Sequence, residues 1–151
     1  MKTGLYTGTF DPFTTGHQNI VTRILPLFDR VIIAVAVSRH KHTQEEIDKR
    51  VENIRILYAN EPKIKVVSYR DLTIDLAKRE QASYIIRGIR NLLDFEYERE
   101  QADINKQLGG VETLLLFSDP EFRSVSSTLV RELWSFEHDA HEFLPKKTNK
   151  K

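Results

Sequence analysis

Residues Val31 to Val37 read V-I-I-A-V-A-V, seven positions without a polar side chain. A strand with one wet face alternates apolar and polar; one that is apolar throughout must be covered on both faces. Such coverage comes from helices on either side of a parallel sheet. Four more apolar runs, Gly4 to Thr7, Ile64 to Ser68, Tyr84 to Ile86 and Thr113 to Phe117, read as the companion strands. Between them His17, Ile20, Val21, Ile24, Leu25 and Phe28 follow helical spacing, as do Ile47, Val51, Ile54 and Tyr58, and later Leu129, Val130, Leu133 and Trp134. Pro26 is expected to disturb the last turn of the first helix. Strands alternating with helices predict a doubly wound α/β fold, Rossmann-like, with five parallel strands and helices on both faces. The strand order expected is 3-2-1-4-5, which opens a ligand crevice between strands 1 and 4.

With 151 residues, the length suits one domain, expected over residues 1–145, with a basic tail from Lys146 to Lys151 expected to be disordered. Lys and Arg number 23 against 22 Asp and Glu, so charge does not call for nucleic acid or an anionic membrane as partner. The absence of cysteine excludes disulfides and thiolate metal sites. No apolar run nears the ~20 residues of a membrane span, and the start of the chain lacks a secretory pattern. A cytoplasmic protein is expected.

Three segments carry phosphate chemistry. The first, Thr7-Gly8-Thr9-Phe10-Asp11-Pro12 followed by Thr14-Thr15-Gly16-His17, joins strand 1 to a helix N-terminus, where amides and the helix dipole favour an anion. Gly8 allows close approach, Thr9 offers a hydroxyl and an N–H, and the His17 ring can donate to a phosphate oxygen. The second, Ile85-Ile86-Arg87-Gly88-Ile89-Arg90, sets two guanidinium forks after strand 4, facing the first segment across the crevice. The third, Phe122-Arg123-Ser124-Val125-Ser126-Ser127-Thr128, opens a helix with three hydroxyls in a row, more than a cap needs, and Arg131 lies one turn on. Lys41, soon after strand 2, could reach the same edge. His40 and His42, without a carboxylate at ligand spacing, are poor evidence for a metal. Each residue also has a structural reading: a core histidine, surface ion pairs, a helix cap, and, for Asp94 to Glu98, carboxylates answering a helix dipole. Taken as a set, these are donors and cations around a crevice with no nucleophilic side chain. That suits phosphoryl or nucleotidyl transfer between two bound reactants, driven by positioning and electrostatics.

Thr7 to His17, Ile85 to Glu98 and Val125 to Arg131 together resemble the bacterial phosphopantetheine adenylyltransferases, with likeness from strand 1 to Pro145. The middle segment is the most specific of the three. The resemblance implies attack of the 4′-phosphate of phosphopantetheine on the α-phosphate of ATP, giving dephospho-coenzyme A and pyrophosphate. It implies that His17, Thr9 and Lys41 are catalytic. Phosphopantetheine is expected at Thr9, Lys41, Asp71, Leu72, Thr73, Arg87 and Asn105. ATP is expected at Thr9, Phe10, His17, Gly88, Ile89, Arg90 and Glu98, and at Phe122, Arg123, Ser124, Val125, Ser126, Ser127 and Thr128, with Glu98 on a ribose hydroxyl. It also implies magnesium as cofactor with no metal-binding side chain assigned, a homohexamer, and coenzyme A as feedback inhibitor.

Two departures stand out. Thr7 replaces a usual proline, and the loop after Lys41 reads His42-Thr43-Gln44-Glu45-Glu46 where relatives tend to carry proline and an aromatic. A nicotinate-mononucleotide adenylyltransferase is disfavoured because Thr14 stands where a histidine is usual. A cytidylyltransferase is disfavoured by the form of the segment near Val125. A non-catalytic adenylate sensor would not need His17 aimed at the α-phosphate.

Overall fold

The computed structural model describes residues 1–38 and 42–147. The strands are β1 (Thr3–Gly8), β2 (Arg30–Ala36), β3 (Ile64–Tyr69), β4 (Tyr84–Ile89) and β5 (Glu112–Phe117). They form one parallel sheet in the order β3-β2-β1-β4-β5, as expected. The α-helices are α1 (Thr15–Ile24), α2 (Gln44–Leu57), α3 (Thr73–Arg79), α4 (Leu92–Gly109) and α5 (Ser127–Ser135). No helix among the described residues is long and apolar enough to cross a membrane.

The apolar run of β2 is explained by two cores. Val31, Ile33 and Val35 point to one face, where they join Ile20, Val21 and Ile24 of α1 and Ile47, Val51 and Ile54 of α2. Ile32 and Ala34 point to the other, with Leu76 and Ala77 of α3 and Ile85 of β4. Both sets are sealed from solvent, so each position from Val31 to Val35 must be apolar.

The first helix ends earlier than its spacing predicts. Regular α-helix stops at Ile24, and Pro26 falls in a 3₁₀ turn over Leu25–Leu27. Leu25 and Phe28 therefore pack from outside α1, because proline cannot donate the next helical hydrogen bond. The connection from β4 to α4 also differs. β4 runs on to Ile89, so Arg87, Gly88 and Ile89 lie within the strand rather than after it. Arg87, Gly88 and Ile89 pair with Leu115, Leu116 and Phe117 of β5, while pairing of β4 with β1 ends at Ile86 and Tyr6. Beyond that point β4 is held on one side only. The sheet splits there, at the reversal of strand order.

Helix α4 is unusual. Asn91 caps it, its side chain accepting from the Asp94 N–H at 2.9 Å, and Gly110 ends it at φ +67°. Its one buried residue is Glu98. Leu92, Leu93, Ile104 and Leu108 face outward, Leu93 at 82% exposure, and Phe117 at the end of β5 is 76% exposed. At the C-terminal end, the Lys146 N–H and carbonyl both meet the Gln18 side chain, at 3.4 and 2.7 Å; residues 148–151 of the expected tail lie outside the described residues.

If β2 is the double-sided spine of the fold, Ile33→Ala should cost about 2–5 kcal/mol of unfolding free energy. Urea denaturation measures it; a loss below ~1 kcal/mol would show that this face is not close-packed.

Candidate active site

The crevice at the sheet's split has two lobes, both at the C-terminal ends of the strands. One, about 300 Å³, opens toward α1 and α5 and is lined by Tyr6, Gly8, Thr9, His17, Gly88, Arg90, Asp94, Phe122 and the Val125–Thr128 segment, among others. The other, about 260 Å³, opens toward α3 and α4 and is lined by Tyr69, Thr73, Tyr97, Gln101, Asn105 and Thr113, among others. Thr7, Gly8, Thr9, Arg87 and Glu98 line both. The two lobes therefore share one wall.

Arg87 builds that wall. Alternation along β4 sends its side chain to the same face as Ile85, toward α4. Its Nε and Nη2 donate to the two oxygens of Glu98 at 2.9 and 2.7 Å. Its Nη1 donates to the Thr7 carbonyl at 2.5 Å and the Thr7 hydroxyl at 3.2 Å. The guanidinium thus occupies the gap that β1 and β4 leave when they part. Burial works against its charge, and the hydrogen bonds and charge of Glu98 more than offset this, so Arg87 stays protonated. Glu98, expected at a ribose hydroxyl, has both oxygens engaged by Arg87. Its neighbour Arg90 is the first residue after β4, and Asp94 holds it by accepting from both its backbone N–H (2.9 Å) and its Nε (3.2 Å).

His17 is fixed by the start of its own helix. Thr14 caps α1, accepting from the His17 N–H at 3.4 Å, and the Thr14 N–H donates back to Nδ1 at 2.9 Å. A backbone N–H can only donate, so Nδ1 is the acceptor and the ring proton sits on Nε2. Burial, then the charges of Arg87 and Arg90, lower its pKa to about 3. The imidazole is therefore neutral across physiological pH, a donor of fixed tautomer rather than a cation. The rings of Phe10 and Phe13 pack on it at centroid distances of 5.0 and 5.2 Å. Phe10 is buried behind His17, and a Cβ at Gly8 would come within 3.0 Å of its ring, which is why glycine stands there.

The third segment is more committed than its hydroxyls suggested. Ser126 Oγ accepts from the Leu129 N–H at 3.0 Å as the cap of α5. Ser127 Oγ donates to the Pro12 carbonyl at 2.7 Å, and Thr128 Oγ1 accepts from Arg131 at 3.2 Å. What a helix start leaves for an anion is its first amides, here Ser127 and Thr128 N–H. Phe122 and Val125 line the same lobe, whereas Ile89, Arg123 and Ser124 do not.

Among the residues expected at the second lobe, Thr73 and Asn105 line it, and Thr73 shares a hydrogen bond with the Tyr69 hydroxyl at 3.1 Å. Asp71 and Leu72 do not: Asp71 is paired with Arg79 at 2.7 Å on the surface, and Leu72 is exposed. Lys41 lies outside the described residues. Sequence reasoning missed Tyr97 and Gln101, which α4 brings to this lobe, and Arg50, which donates to the Thr9 carbonyl at 3.0 Å.

A family model for cytidylyltransferase-like proteins matches residues 5–133. A phosphopantetheine adenylyltransferase of Bacteroides fragilis is 51% identical over 146 residues, covering 97% of both chains. One of Bacteroides thetaiotaomicron is 50% identical over 145 residues, covering 96% of each. One of Porphyromonas gingivalis is 48% identical over 141 residues, covering 93% of this chain and 92% of the other. Among solved structures, a candidate nicotinate-nucleotide adenylyltransferase of Vibrio parahaemolyticus superposes with a TM-score of 0.69, covering 97% of this chain and 95% of that one at 16% identity, a likeness of fold. With its split parallel sheet, two-lobed crevice and near-full-length matches, the chain belongs to the cytidylyltransferase-like family, and within it to the phosphopantetheine adenylyltransferases.

Proposed function

We propose that this chain moves AMP from ATP to 4′-phosphopantetheine, releasing dephospho-coenzyme A and pyrophosphate. The observation that carries the reading is the shared wall. Two lobes meet at Thr9 and Arg87, so a reactant in each can bring phosphates together without a side-chain nucleophile. In this reading ATP occupies the lobe beside α1 and α5, its β- and γ-phosphates near Arg90 and the first amides of α5. Phosphopantetheine takes the lobe beside α3 and α4, its arm along Thr73 and Asn105 and its phosphate at Thr9 and Arg87. An oxygen of that phosphate attacks the α-phosphorus of ATP, and the bond to pyrophosphate breaks. His17 Nε2–H donates to the non-bridging oxygens of the crowded phosphorus as their charge builds. Lys41, which lies outside the described residues, would join it.

Magnesium belongs to this reading as part of the nucleotide substrate. Among the described residues no group of three or more His, Cys, Asp or Glu could hold a metal. The carboxylates at the crevice, Asp94 and Glu98, are occupied by Arg90 and Arg87. A small hard cation that gives up water reluctantly would ride on the triphosphate oxygens and neutralise their charge. The cytoplasm, the homohexamer and feedback by coenzyme A are part of the same proposal. The outward apolar residues of α4 and Phe117 support the assembly, since a surface patch of this kind marks an interface.

Mixing the purified chain with ATP, magnesium and phosphopantetheine should release pyrophosphate. Nicotinate mononucleotide in parallel should not serve as acceptor; the reverse preference would replace the substrate. His17→Ala should lower turnover at least ~100-fold while ATP affinity stays within a few-fold, because the donor's contact strengthens in the transition state. Since His17 is neutral at every pH above about 3, kcat should show no ionisation near pH 6.5 that His17→Gln removes. Its lowered pKa acts on folding between pH 6.5 and about 3: the unfolded chain takes up that proton as pH falls through 6.5 while the folded chain does not, so stability drops toward pH 3.

Arg87→Ala should raise KM for phosphopantetheine more than for ATP, and should also destabilise by ~3 kcal/mol or more by stranding the buried Glu98 carboxylate. Adding Glu98→Gln should recover part of the stability but not the KM, as chemical denaturation and steady-state kinetics would separate. Light scattering should give the mass of six chains, and Leu93→Asp should reduce it; an unchanged assembly would place the interface elsewhere.

A further inference from the structure

The loop between β1 and α1 is strained where it matters most. Phe10 has φ +47°, a left-handed conformation that a bulky L residue rarely adopts. Such strain persists only when the surroundings hold it in place. Thr9 on one side is the exposed hydroxyl shared by both lobes, and the Phe10 ring itself stands at 90° to His17.

One side chain bridges the strained residue. Arg50, on α2 and outside both lobes, is 10% exposed. Its Nη1 donates to the Thr9 carbonyl at 3.0 Å, and its Nη2 lies 3.2 Å from the Asp11 carboxylate. It therefore grips the backbone just before Phe10 and the side chain just after it. The far side is held by α5: Arg131 Nη1 donates to the Asp11 carbonyl at 2.5 Å, and Ser127 donates to the Pro12 carbonyl. Arg131 stands 3.9 Å from the Asp11 carboxylate, so that carboxylate is shared between two guanidinium groups on two helices.

We propose that Arg50 is a positioning residue of the transfer reaction, acting through Thr9 and Asp11 to keep Phe10 strained, His17 backed and the Thr9 donors aimed into the crevice. A planar fork suits the task because its two nitrogens reach two acceptors at once, whereas an ammonium is a single point. The role is separate from binding, since Arg50 touches the loop's carbonyl and carboxylate from behind. It rests on the adenylyl-transfer reading for its effect on rate, but its effect on the loop does not.

The test joins amide hydrogen exchange on the full chain with steady-state kinetics. Arg50→Met keeps the apolar stem and removes the fork. Exchange across residues 9–13 should speed at least ~10-fold while β5 keeps wild-type rates, as expected for local opening. The same variant should lose at least ~30-fold in kcat with both KM values within ~3-fold, because misplacement of aligned groups acts on the rate. Arg50→Lys should fall between Met and wild type in both measurements, and it carries the comparison alone if the Met variant does not fold. Wild-type exchange in residues 9–13 of the variants would overturn the proposal whatever their activity. So would a rise in one KM with kcat unchanged, which would make Arg50 a direct substrate contact. A wild-type chain that releases no pyrophosphate, while the variants still loosen the loop, would sink the functional reading and leave the loop's dependence on Arg50 standing.

Discussion

The ion pair between Arg87 and Glu98 is the interaction on which this architecture turns. A parallel sheet whose strand order reverses must come apart between its two central strands, and the parting exposes backbone that would otherwise be paired. Arg87 fills that gap by donating to the Thr7 carbonyl. It can be buried there only because α4 brings a carboxylate of matching shape. The same pair explains why α4 buries a glutamate and no apolar residue. Its inward face answers a charge, which frees its apolar side chains to face outward.

The pair also sets the electrostatics of the crevice. A guanidinium held protonated at the common wall, its charge largely balanced by Glu98, keeps its remaining N–H donors available to phosphate oxygens in either lobe. Burial, helped by the charges of Arg87 and Arg90, keeps His17 neutral. The site thus separates its duties: fixed cations attract, while an uncharged ring of defined tautomer donates at the reacting centre.

Most of the frame was legible in the sequence because its signals are local. The uniform run of β2, the periodicity of α2 and the Pro26 break each depend on neighbours within a few residues. Alternation calls for a helix between β3 and β4, but no periodicity marks the bounds of α3, because seven residues with Leu76 and Ala77 buried make too short a period to stand out. The end of β4 escaped because Arg and Gly are poor strand formers, and only pairing with the Leu115-Leu116-Phe117 stretch of β5 keeps that segment extended. The site residues divide in the same way. Thr9, His17, Arg87 and Ser127 sit in compact motifs and do gather at the crevice. Asp71 and Leu72 do not line it, and Arg50 resembles any helix-surface charge until folding brings it to a carbonyl 41 positions earlier. Burial of Glu98 was equally hidden, since a carboxylate near a helix start is ordinary and its partner lies on another element.

The capping box of α1 has a consequence for which residues could ever stand at position 17. The side chain there must accept a main-chain proton with one atom and offer a proton to the crevice with another, while staying uncharged. A carboxylate satisfies the first demand and fails the second; an ammonium or guanidinium does the reverse. Besides a neutral imidazole, only a side-chain amide such as glutamine combines an acceptor and a donor at comparable reach. The helix's beginning and the phosphate's donor are thus one chemical object, and drift at this position is confined by folding and by turnover together.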